Sequence, residues 1–277
     1  MQQYLELGAR ILGAGTHRQN RTGIPTTAIF GTQMRFDLTD DKLALVTTKK
    51  LHLKSIIHEL LWMISGSSNI RYLQENGVTI WDEWADENGD LGPVYGVQWR
   101  KWQALEMVGM GVHQYRIDQL ANLINTLRTN PQDRRMIVSA WNVARIKDMK
   151  LPPCHMMFQC FSHEDNAGQR WLSLQIYQRS VDYFLGLPFN LAFYSILCHM
   201  LAAQTGHKAY ELIHVGGDVH VYDNHIEQVK LQLSREPKEQ TGRLILADRP
   251  SIDDYVYDDI VIDGYKSHPA IKGAVAV

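Results

Sequence analysis

The chain lacks the sequence features of secreted proteins and of proteins that bind duplex nucleic acid. It has three cysteines among 277 residues, and this small, odd number excludes a disulfide scaffold and a four-thiolate metal site and favours a reducing compartment. The 28 Lys and Arg residues are matched by 30 Asp and Glu, so the net charge of -2 provides no basic field to attract nucleic acid. Any anion site must therefore be a local cluster of basic side chains.

No segment has the length and composition of a membrane anchor or a signal peptide. The longest apolar stretch, residues 191–203, is interrupted by His199 and is too short to cross a bilayer. The N-terminus has no basic segment followed by an apolar run. We therefore expect a soluble, cytoplasmic protein without a membrane partner.

The remaining sequence is typical of one globular domain, with 45% hydrophobic and 21% charged residues. No repeat or Pro/Gly/Ser-rich linker divides it, which predicts a single domain over residues 1–277. Helical patterns are found over 3–14, 55–64, 69–75, 117–128, 189–203 and 222–233, and strand patterns over 28–38, 136–141, 156–161, 171–177, 244–247 and 255–262. Because these strands and helices do not alternate regularly, an α+β fold is favoured. The acidic stretch 81–95 is predicted to be a loop.

Cys154 is the candidate nucleophile. It lies in Leu-Pro-Pro-Cys-His, whereas Cys160 and Cys198 lie in apolar segments and are expected to be packing residues. A free thiol is only a few per cent ionised at neutral pH, so an activated Cys154 needs a nearby cation. Taken alone, Cys154 also fits a small buried side chain.

The segment 178–190 contains polar residues suited to ligand binding. Arg179 and Ser180 offer an anion a planar fork of donors and a hydroxyl group. Asp182 and Asn190 are isolated polar residues in an otherwise apolar stretch. Taken singly, these residues also fit a surface arginine, a helix-capping aspartate and a loop asparagine.

Two arginines, Arg134 and Arg135, follow a turn and open a predicted strand. Successive strand residues face opposite sides, so these two side chains converge on one anion only at the mouth of a strand. A solvated basic turn is the alternative.

Glu59 lies within the apolar helical pattern of residues 55–64. Buried carboxylates are rare unless paired, and desolvation raises their pKa into the range useful for proton transfer. A structural ion pair is the alternative for Glu59. His220 and Tyr222 share one face at strand spacing, but His220 and His225 without a third ligand do not make a zinc motif, so no metal is expected.

Together and in order, these motifs resemble those of the thymidylate synthases, nearly from end to end. The matching segments are Asn-Arg-Thr-Gly at 20–23, then 47–62, 76–96, 133–142, 151–155, 178–190 and 216–225, and the short apolar tail. Several exceed ten residues, so chance matching is negligible. The resemblance implies the thymidylate synthase fold, a large mixed β-sheet flanked by helices, in which one sheet face forms the interface of a homodimer.

The resemblance implies a methyltransferase that converts dUMP to dTMP. Its co-substrate would be 5,10-methylenetetrahydrofolate, giving dihydrofolate, without a metal. Cys154 would add to C6 of the pyrimidine, with its thiol pKa lowered by Arg179. Rival interpretations are a dUMP hydroxymethylase of the same fold, a cysteine hydrolase and an RNA-binding module, to which the overall charge gives little support. The apolar side chains Trp81 and Leu151 favour exclusion of water and hence the synthase over the hydroxymethylase.

The resemblance also assigns roles by position. The catalytic residues would be Cys154, Glu59, Tyr95, His155, Arg179, Asp182 and Asn190. The residues that bind dUMP would be Arg21, Arg134, Arg135, Arg179, Ser180, Asp182, Asn190, His220 and Tyr222. The folate-binding residues would be His52, Lys49, Ile80, Trp81, Asp182, Phe189 and Ala276.

Three expectations add detail to these roles. Arg134 and Arg135 would reach the phosphate bound to the partner subunit. The Asn190 amide offers a donor and an acceptor that match O4 and N3–H of uracil, so dUMP is expected rather than dCMP. The segment 274–277 resembles the tail that closes over the filled site, and residues 103–116 are expected to form a surface loop without a catalytic role.

Overall fold

The computed structural model describes residues 1–239 and 241–275. In this part of the chain the α-helices are α1 (Gln2–Ala14), α2 (Leu53–Ile64), α3 (Arg71–Glu75), α4 (Tyr95–Lys101), α5 (Gln119–Thr129), α6 (Gly186–Thr205) and α7 (Ile226–Leu233). The strands are β1 (Thr16–Arg18), β2 (Thr26–Asp37), β3 (Trp102–Val108), β4 (Gly111–Ile117), β5 (Ile137–Ser139), β6 (His155–Glu164), β7 (Arg170–Asp182), β8 (Lys208–Tyr222), β9 (Arg243–Leu246) and β10 (Ile260–Asp263). Short 3₁₀ helices cover Val143–Asp148, Asp223–His225, Ile252–Asp254 and Tyr257–Asp259.

A mixed six-stranded sheet organises the fold. Its strand order is β1-β2-β8-β7-β6-β5. β7 and β8 are parallel and are connected by α6, while the other neighbouring strands are antiparallel. Two further pairs, β3-β4 and β9-β10, form small antiparallel sheets. The expected α+β class with a large mixed sheet flanked by helices is confirmed.

The central helix α6 is apolar on all sides because it lies inside the protein. It packs against β7, β8, α2 and α5, and it ends at Gly206, whose φ of +69° is the left-handed conformation favoured by glycine. By length and composition α6 is able to cross a membrane, but 78% of its apolar window is buried within the fold. Such burial is the ordinary condition of a core helix.

The helix α2 carries Glu59 into the interior. The His52 side chain accepts a hydrogen bond from the backbone N–H of Ser55 at its start, and all residues from Ser55 to Ile64 are buried. A Cβ on Gly96 would lie 2.2 Å from the carbonyl oxygen of Met63. Glycine at this position therefore lets α4 pack directly against α2.

One face of the large sheet is open to solvent in the single chain. Phe161 is 62% exposed and Tyr210 is 41% exposed. Their rings belong to an aromatic row in which Phe161 contacts His163, His163 contacts Tyr210, and Tyr210 contacts Trp171. We call these four residues the open-face aromatic row.

The structure confirms most predicted elements and corrects several boundaries. Residues 103–116 are not an irregular loop but form the β3-β4 hairpin, which turns at Gly109 with φ +61°. The helix predicted from residue 117 begins at Gln119, because Ile117 ends β4 and Asp118 caps the helix by accepting from the Ala121 N–H. The helix predicted over 222–233 begins at Ile226, and the strand predicted over 255–262 forms only at Ile260–Asp263.

The longest strand of the sheet, β8, has little sequence signal before His220. It contains Glu211, His214 and Asp218 and a Gly216-Gly217 pair, which break both alternation and an apolar run. Its conformation is fixed instead by pairing with β2 on one side and β7 on the other.

Candidate active site

Several elements converge on Cys154. Cys154 lies directly before β6, Tyr95 begins α4, Arg179 lies on β7, Asn190 lies in the second turn of α6 and His220 lies near the end of β8. The sheet and the two helices thus bring together side chains that are far apart in the sequence.

The backbone around Cys154 is held from two sides. Its N–H donates to the Tyr95 hydroxyl oxygen at 2.9 Å, and its carbonyl accepts from the Arg179 N–H at 2.8 Å. The Arg179 guanidinium donates through Nε to the Pro153 carbonyl and through Nη2 to the Pro152 carbonyl, both at 2.9 Å. Proline has no N–H but keeps its carbonyl group as a hydrogen-bond acceptor. The carbonyls of Pro152 and Pro153 therefore hold the Arg179 side chain beside the thiol.

The Cys154 thiol is not acidic in the single chain. Burial raises its pKa, and this effect exceeds the opposing effects of the Arg179 and Arg21 charges and of a hydrogen bond from Tyr95. The expected lowering of the thiol pKa by the Arg179 charge is confirmed. Burial outweighs it in the single chain, so the net shift of the pKa is upward.

Tyr95 and His155 form a buried pair next to Cys154. Their ring centroids are 4.3 Å apart, and His155 Nδ1 is 2.6 Å from the Tyr194 hydroxyl. Burial lowers the pKa of His155 to about 3, so its ring stays neutral at physiological pH. Tyr95 has φ +24°, a conformation that few bulky residues adopt and that tends to cluster at functional sites.

Glu59 is a buried carboxyl group that makes no ion pair within residues 1–239 and 241–275. Its Oε1 accepts a hydrogen bond from Trp81 Nε1 at 2.7 Å. Burial raises the pKa of Glu59 to about 7, against the lowering effect of the Trp81 hydrogen bond. A proton on this carboxyl group can therefore be gained or lost near neutral pH.

The side chain of the half-buried Asn190 is hydrogen-bonded to the buried amide of Gln178. Its Oδ1 accepts from Gln178 Nε2 at 3.0 Å, and Gln178 Nε2 also donates to the Ser180 carbonyl at 3.2 Å. Gln178 Oε1 lies 3.0 Å from His214 Nε2. The sequence did not single out Gln178 or His214, and the available signal was weak: each is a polar residue on the buried side of its strand.

His220 and Tyr222 lie together at the end of β8, with ring centroids 5.1 Å apart. His220 Nδ1 is 3.0 Å from Asp218 Oδ1, and Arg18 Nη1 donates to Asp218 Oδ2 at 3.0 Å. The hydrogen bond to His220 lowers the pKa of Asp218, with help from Arg18. Because a carboxylate only accepts, Nδ1 carries the proton in this hydrogen bond, and in the neutral ring Nε2 is then an acceptor. Sequence analysis missed Asp218.

The predicted phosphate-binding arginines occupy two places. Arg21 is exposed on a loop, and its charge acts on the Cys154 thiol. Arg134 and Arg135 are exposed beside β5, where Arg135 pairs with Asp133 and the Arg134 carbonyl accepts from Gln159. Within the described residues neither of these two makes a hydrogen bond or ion pair to the side chains around Cys154.

Asp182 is the last residue of β7, and its side chain is oriented by the segment that leads into α6. Its Oδ1 accepts from the backbone N–H groups of Phe184 and Leu185 at 2.9 and 3.0 Å. The other carboxylate oxygen has no hydrogen-bond donor in the described part of the chain. A Cβ built on Gly186 would lie 3.6 Å from Asp182 Cβ and 3.7 Å from Asn190 Oδ1, so the two side chains border one space.

The predicted folate-binding residues are partly scattered. Lys49 is buried; its ammonium group donates to the Phe184 carbonyl and lies 3.7 Å from the Phe184 ring centroid. Burial lowers its pKa to about 8, while the Asp182 charge acts in the opposite direction. His52 is exposed at the start of α2, Ile80 and Phe189 are half-buried, and Trp81 is buried against Trp84 and Tyr95. Ala276 lies outside the described residues.

The C-terminal segment approaches the same region. The Ala274 carbonyl accepts from His225 Nε2 at 2.7 Å, and a Cβ on Gly273 would lie 2.7 Å from the Phe184 ring. Among the residues that the structure describes, no group of three or more His, Cys, Asp or Glu side chains is placed to hold a metal ion.

Known proteins are similar to this chain over its whole length. The sequence model described as thymidylate synthase matches residues 2–277. A curated thymidylate synthase of Brachyspira hyodysenteriae is 51% identical over 277 residues, which is the full length of both chains. These whole-length matches, together with the mixed sheet and the cysteine-centred cluster, show that the chain belongs to the thymidylate synthase family.

Proposed function

We propose that Cys154 is the nucleophile with which this chain methylates dUMP. As a thymidylate synthase family member, the chain is a methyltransferase that converts dUMP to dTMP with 5,10-methylenetetrahydrofolate as co-substrate. The folate supplies the one-carbon unit and the hydride and leaves as dihydrofolate. The observation that carries the proposal is the position of the Cys154 thiol, which alone among the three cysteines faces the Arg179 and Arg21 charges.

The thiolate of Cys154 adds to C6 of the pyrimidine, and negative charge passes to C5 and O4. This addition splits a difficult substitution at C5 into easier steps. Because burial opposes ionisation of Cys154, the Arg179 guanidinium is needed close to the sulfur. Its two hydrogen bonds to the proline carbonyls hold it there at little entropic cost during reaction.

The dUMP phosphate meets a local cluster of donors. Arg21, Arg179 and the Ser180 hydroxyl supply charge and hydrogen bonds from one chain, and Arg134 and Arg135 of the partner subunit complete the cluster. Support for the contribution of the partner comes from the exposure of Arg134 and Arg135. Within the described residues, no hydrogen bond or ion pair ties either of them to the side chains around Cys154 of their own chain. A bidentate guanidinium is well suited to phosphate.

The nucleoside is recognised by Asn190, His220 and Tyr222. The Asn190 amide faces the pyrimidine edge, where its donor and its acceptor match O4 and N3–H of uracil. His220 Nε2 is free to accept from the deoxyribose 3′-hydroxyl because Asp218 holds the Nδ1 proton. Tyr222 lies beside His220 and donates to the same hydroxyl oxygen.

Protons are handled by Glu59, Tyr95 and His155. Glu59, with a pKa of about 7, acts through water on O4 as charge develops there. Tyr95 assists removal of the C5 proton; its hydroxyl oxygen already accepts from the Cys154 N–H, which directs its own proton toward the reacting groups. His155 stays neutral and supports the Tyr95 ring.

The residues present fit a pterin ring with a polar edge. Asp182 offers a carboxylate oxygen that no donor in the described residues uses, and Trp81, Ile80, Leu151 and Phe189 provide an apolar wall. Lys49 points inward to Phe184, so the exposed His52 is the better placed of the two to meet a folate tail. The hydroxymethylase alternative is not favoured by the comparisons.

We further propose that the chain forms a cytoplasmic homodimer through its open sheet face. The open-face aromatic row exposes apolar surface that a second copy would cover. Gln159, which contacts the Arg134 carbonyl, lies on β6 two residues from Phe161 and on the same face. Pairing of two such faces would carry the arginines toward the partner's site. Three free cysteines accord with a reducing compartment.

The nucleophile is tested with 5-fluoro-dUMP and the folate, because fluorine at C5 cannot leave as the proton does and the covalent adduct accumulates. Intact-mass and peptide mass spectrometry should place the adduct on Cys154 in the parent and in the Cys198→Ser control and show none in Cys154→Ser. An adduct on another residue, or none, would overturn the assignment. Formation of tetrahydrofolate rather than dihydrofolate in the dUMP reaction would indicate hydroxymethylation.

The shared site is tested by complementation. Cys154→Ser and Arg135→Ala chains should each be nearly inactive, but a heterodimer of the two has one site that carries neither change. Activity should therefore return when the two are co-expressed or refolded together. No recovery, in a mixture shown to contain heterodimers, would mean that Arg135 acts within its own chain.

A further inference from the structure

An asparagine side chain does not by itself distinguish uracil from cytosine. Uracil presents an acceptor at O4 and a donor at N3, whereas cytosine presents a donor at N4 and an acceptor at N3. Rotating the Asn190 amide by half a turn exchanges its oxygen and nitrogen and so exchanges the base that it matches. Selectivity for dUMP therefore requires that the amide of Asn190 be held in one orientation.

A series of hydrogen bonds links His214 through Gln178 to Asn190, and each bond in it has a fixed donor and a fixed acceptor. The Gln178 amide uses both of its N–H groups, one on Asn190 Oδ1 at 3.0 Å and one on the Ser180 carbonyl at 3.2 Å. Its oxygen is 3.0 Å from His214 Nε2. Since Gln178 Oε1 only accepts, the Nε2 atom of His214 must carry the ring proton and donate it.

His214 is suited to this task because it has one proton and one partner. It is fully buried, and burial lowers its pKa to about 4, so the ring stays neutral at physiological pH. Its Nδ1 atom is buried without a hydrogen-bond partner in the described part of the chain. The hydrogen bond to Gln178 is thus the interaction that decides which nitrogen of His214 carries the proton.

We propose that His214 is a positioning residue that sets the selectivity of the enzyme for dUMP over dCMP, by orienting Gln178 and, through it, Asn190. The inference rests on the proposed role of Asn190. With the proton on Nδ1 instead, His214 would attract the Gln178 N–H group and Gln178 would rotate. The Asn190 amide would then turn by half a turn, and its exchanged oxygen and nitrogen would match cytosine. The Ser180 carbonyl resists that rotation, so loss of the His214 donor weakens selectivity rather than abolishing it.

The experiment measures dissociation constants of dUMP and dCMP for the whole enzyme by calorimetric titration without folate. His214→Met removes the donor at similar volume, and His214→Gln retains an N–H at about the place of Nε2. We expect the ratio of the dCMP to the dUMP dissociation constant to fall about tenfold in His214→Met, the usual effect of one buried hydrogen bond. His214→Gln should stay within about threefold of the parent, since it keeps that bond.

A matched control is His199, a second buried histidine whose Nε2 bonds the Lys42 carbonyl at 2.8 Å. His199→Met should lower the unfolding temperature as much as His214→Met does and leave the dissociation-constant ratio unchanged. An equal loss of selectivity in His214→Met and His199→Met, or in His214→Met and His214→Gln, would overturn the proposal.

Two further measurements separate failure of the proposed role of Asn190 from failure of the proposed role of His214. Asn190→Asp tests the proposed function: if it leaves the ratio unchanged, Asn190 does not read the base. If Asn190→Asp changes the ratio and His214→Met does not, only the role of His214 is refuted. Nitrogen-15 spectra of histidine-labelled parent enzyme remain decisive if His214→Met does not fold, because they should show His214 protonated on Nε2, and protonation on Nδ1 would contradict the proposal.

Discussion

The buried carboxyl group of Glu59 makes the free energy of unfolding depend on pH in a way that can be measured apart from activity. Burial raises its folded-state pKa from 4.5 to about 7. Between these two values the folded chain binds more protons than the unfolded chain, so this carboxyl group lowers stability progressively as the pH rises. Below pH 4.5 the effect is absent, and above pH 7 it is complete.

Replacing Glu59 with glutamine removes this cost and keeps an acceptor for Trp81 Nε1. The shift in pKa corresponds to about 3 kcal/mol at full ionisation. We therefore expect Glu59→Gln to unfold with the parent's free energy near pH 4.5, and to exceed the parent by up to about 3 kcal/mol at pH 8. Turnover of dUMP should fall sharply at the same time, because the amide exchanges no proton.

The assay is urea unfolding at fixed protein concentration over a series of pH values, since subunit association also contributes to stability. Glu227→Gln is the matched control, because the Glu227 side chain is 81% exposed and forms a surface ion pair with Lys230. That control should follow the parent at every pH. Parallel curves for the parent and Glu59→Gln between pH 5 and pH 8 would refute the reasoning.

Two other changes test the geometry around the site. Asp218→Asn should raise the KM for dUMP about tenfold with little change in kcat, because the His220 ring is then free to carry its proton on Nε2 instead of Nδ1. Steady-state kinetics measure both constants, and a selective fall in kcat would count against this role of Asp218. Gly96→Ala should lower the free energy of unfolding by at least about 2 kcal/mol, because the new Cβ would lie against the Met63 carbonyl. If urea unfolding gives the variant the same free energy of unfolding as the parent, α4 moves away from α2 without an energetic cost.

The sequence was informative where one residue type carries the chemistry. Cys154 was separated from Cys160 and Cys198 by its neighbours, and the structure buries the latter two in the core. The apolar helix around Glu59 was also evident, because an isolated carboxylate within an apolar pattern is uncommon. Both signals come from residues close together in the chain, so a single sequence is enough to reveal them.

The parts that sequence reasoning missed depend on contacts between distant segments. Gln178 and His214 are 36 residues apart, and β7 and β8 must pair in parallel with the observed register before the two side chains meet. Asp218 lies two residues from His220 but was not distinguished from an ordinary strand residue. The β3-β4 hairpin was missed because Leu105, Met107 and Val112 are exposed, so burial imposes no alternation there.

The pKa of the Cys154 thiol shows how charge and assembly are connected. The sequence predicts the attraction of Arg179 for the thiolate but does not show the cost of burying the sulfur. In one chain, burial raises the thiol pKa by more than the charges of Arg179 and Arg21 lower it. The chain also leaves the open-face aromatic row uncovered, and in its described residues neither Arg134 nor Arg135 bonds the side chains around Cys154. If two chains pair as we propose, one association covers the apolar surface and adds two positive charges near each bound phosphate. The added charge offsets the phosphate and leaves Arg179 to act on the sulfur, so activation of Cys154 becomes a property of the dimer with substrate bound.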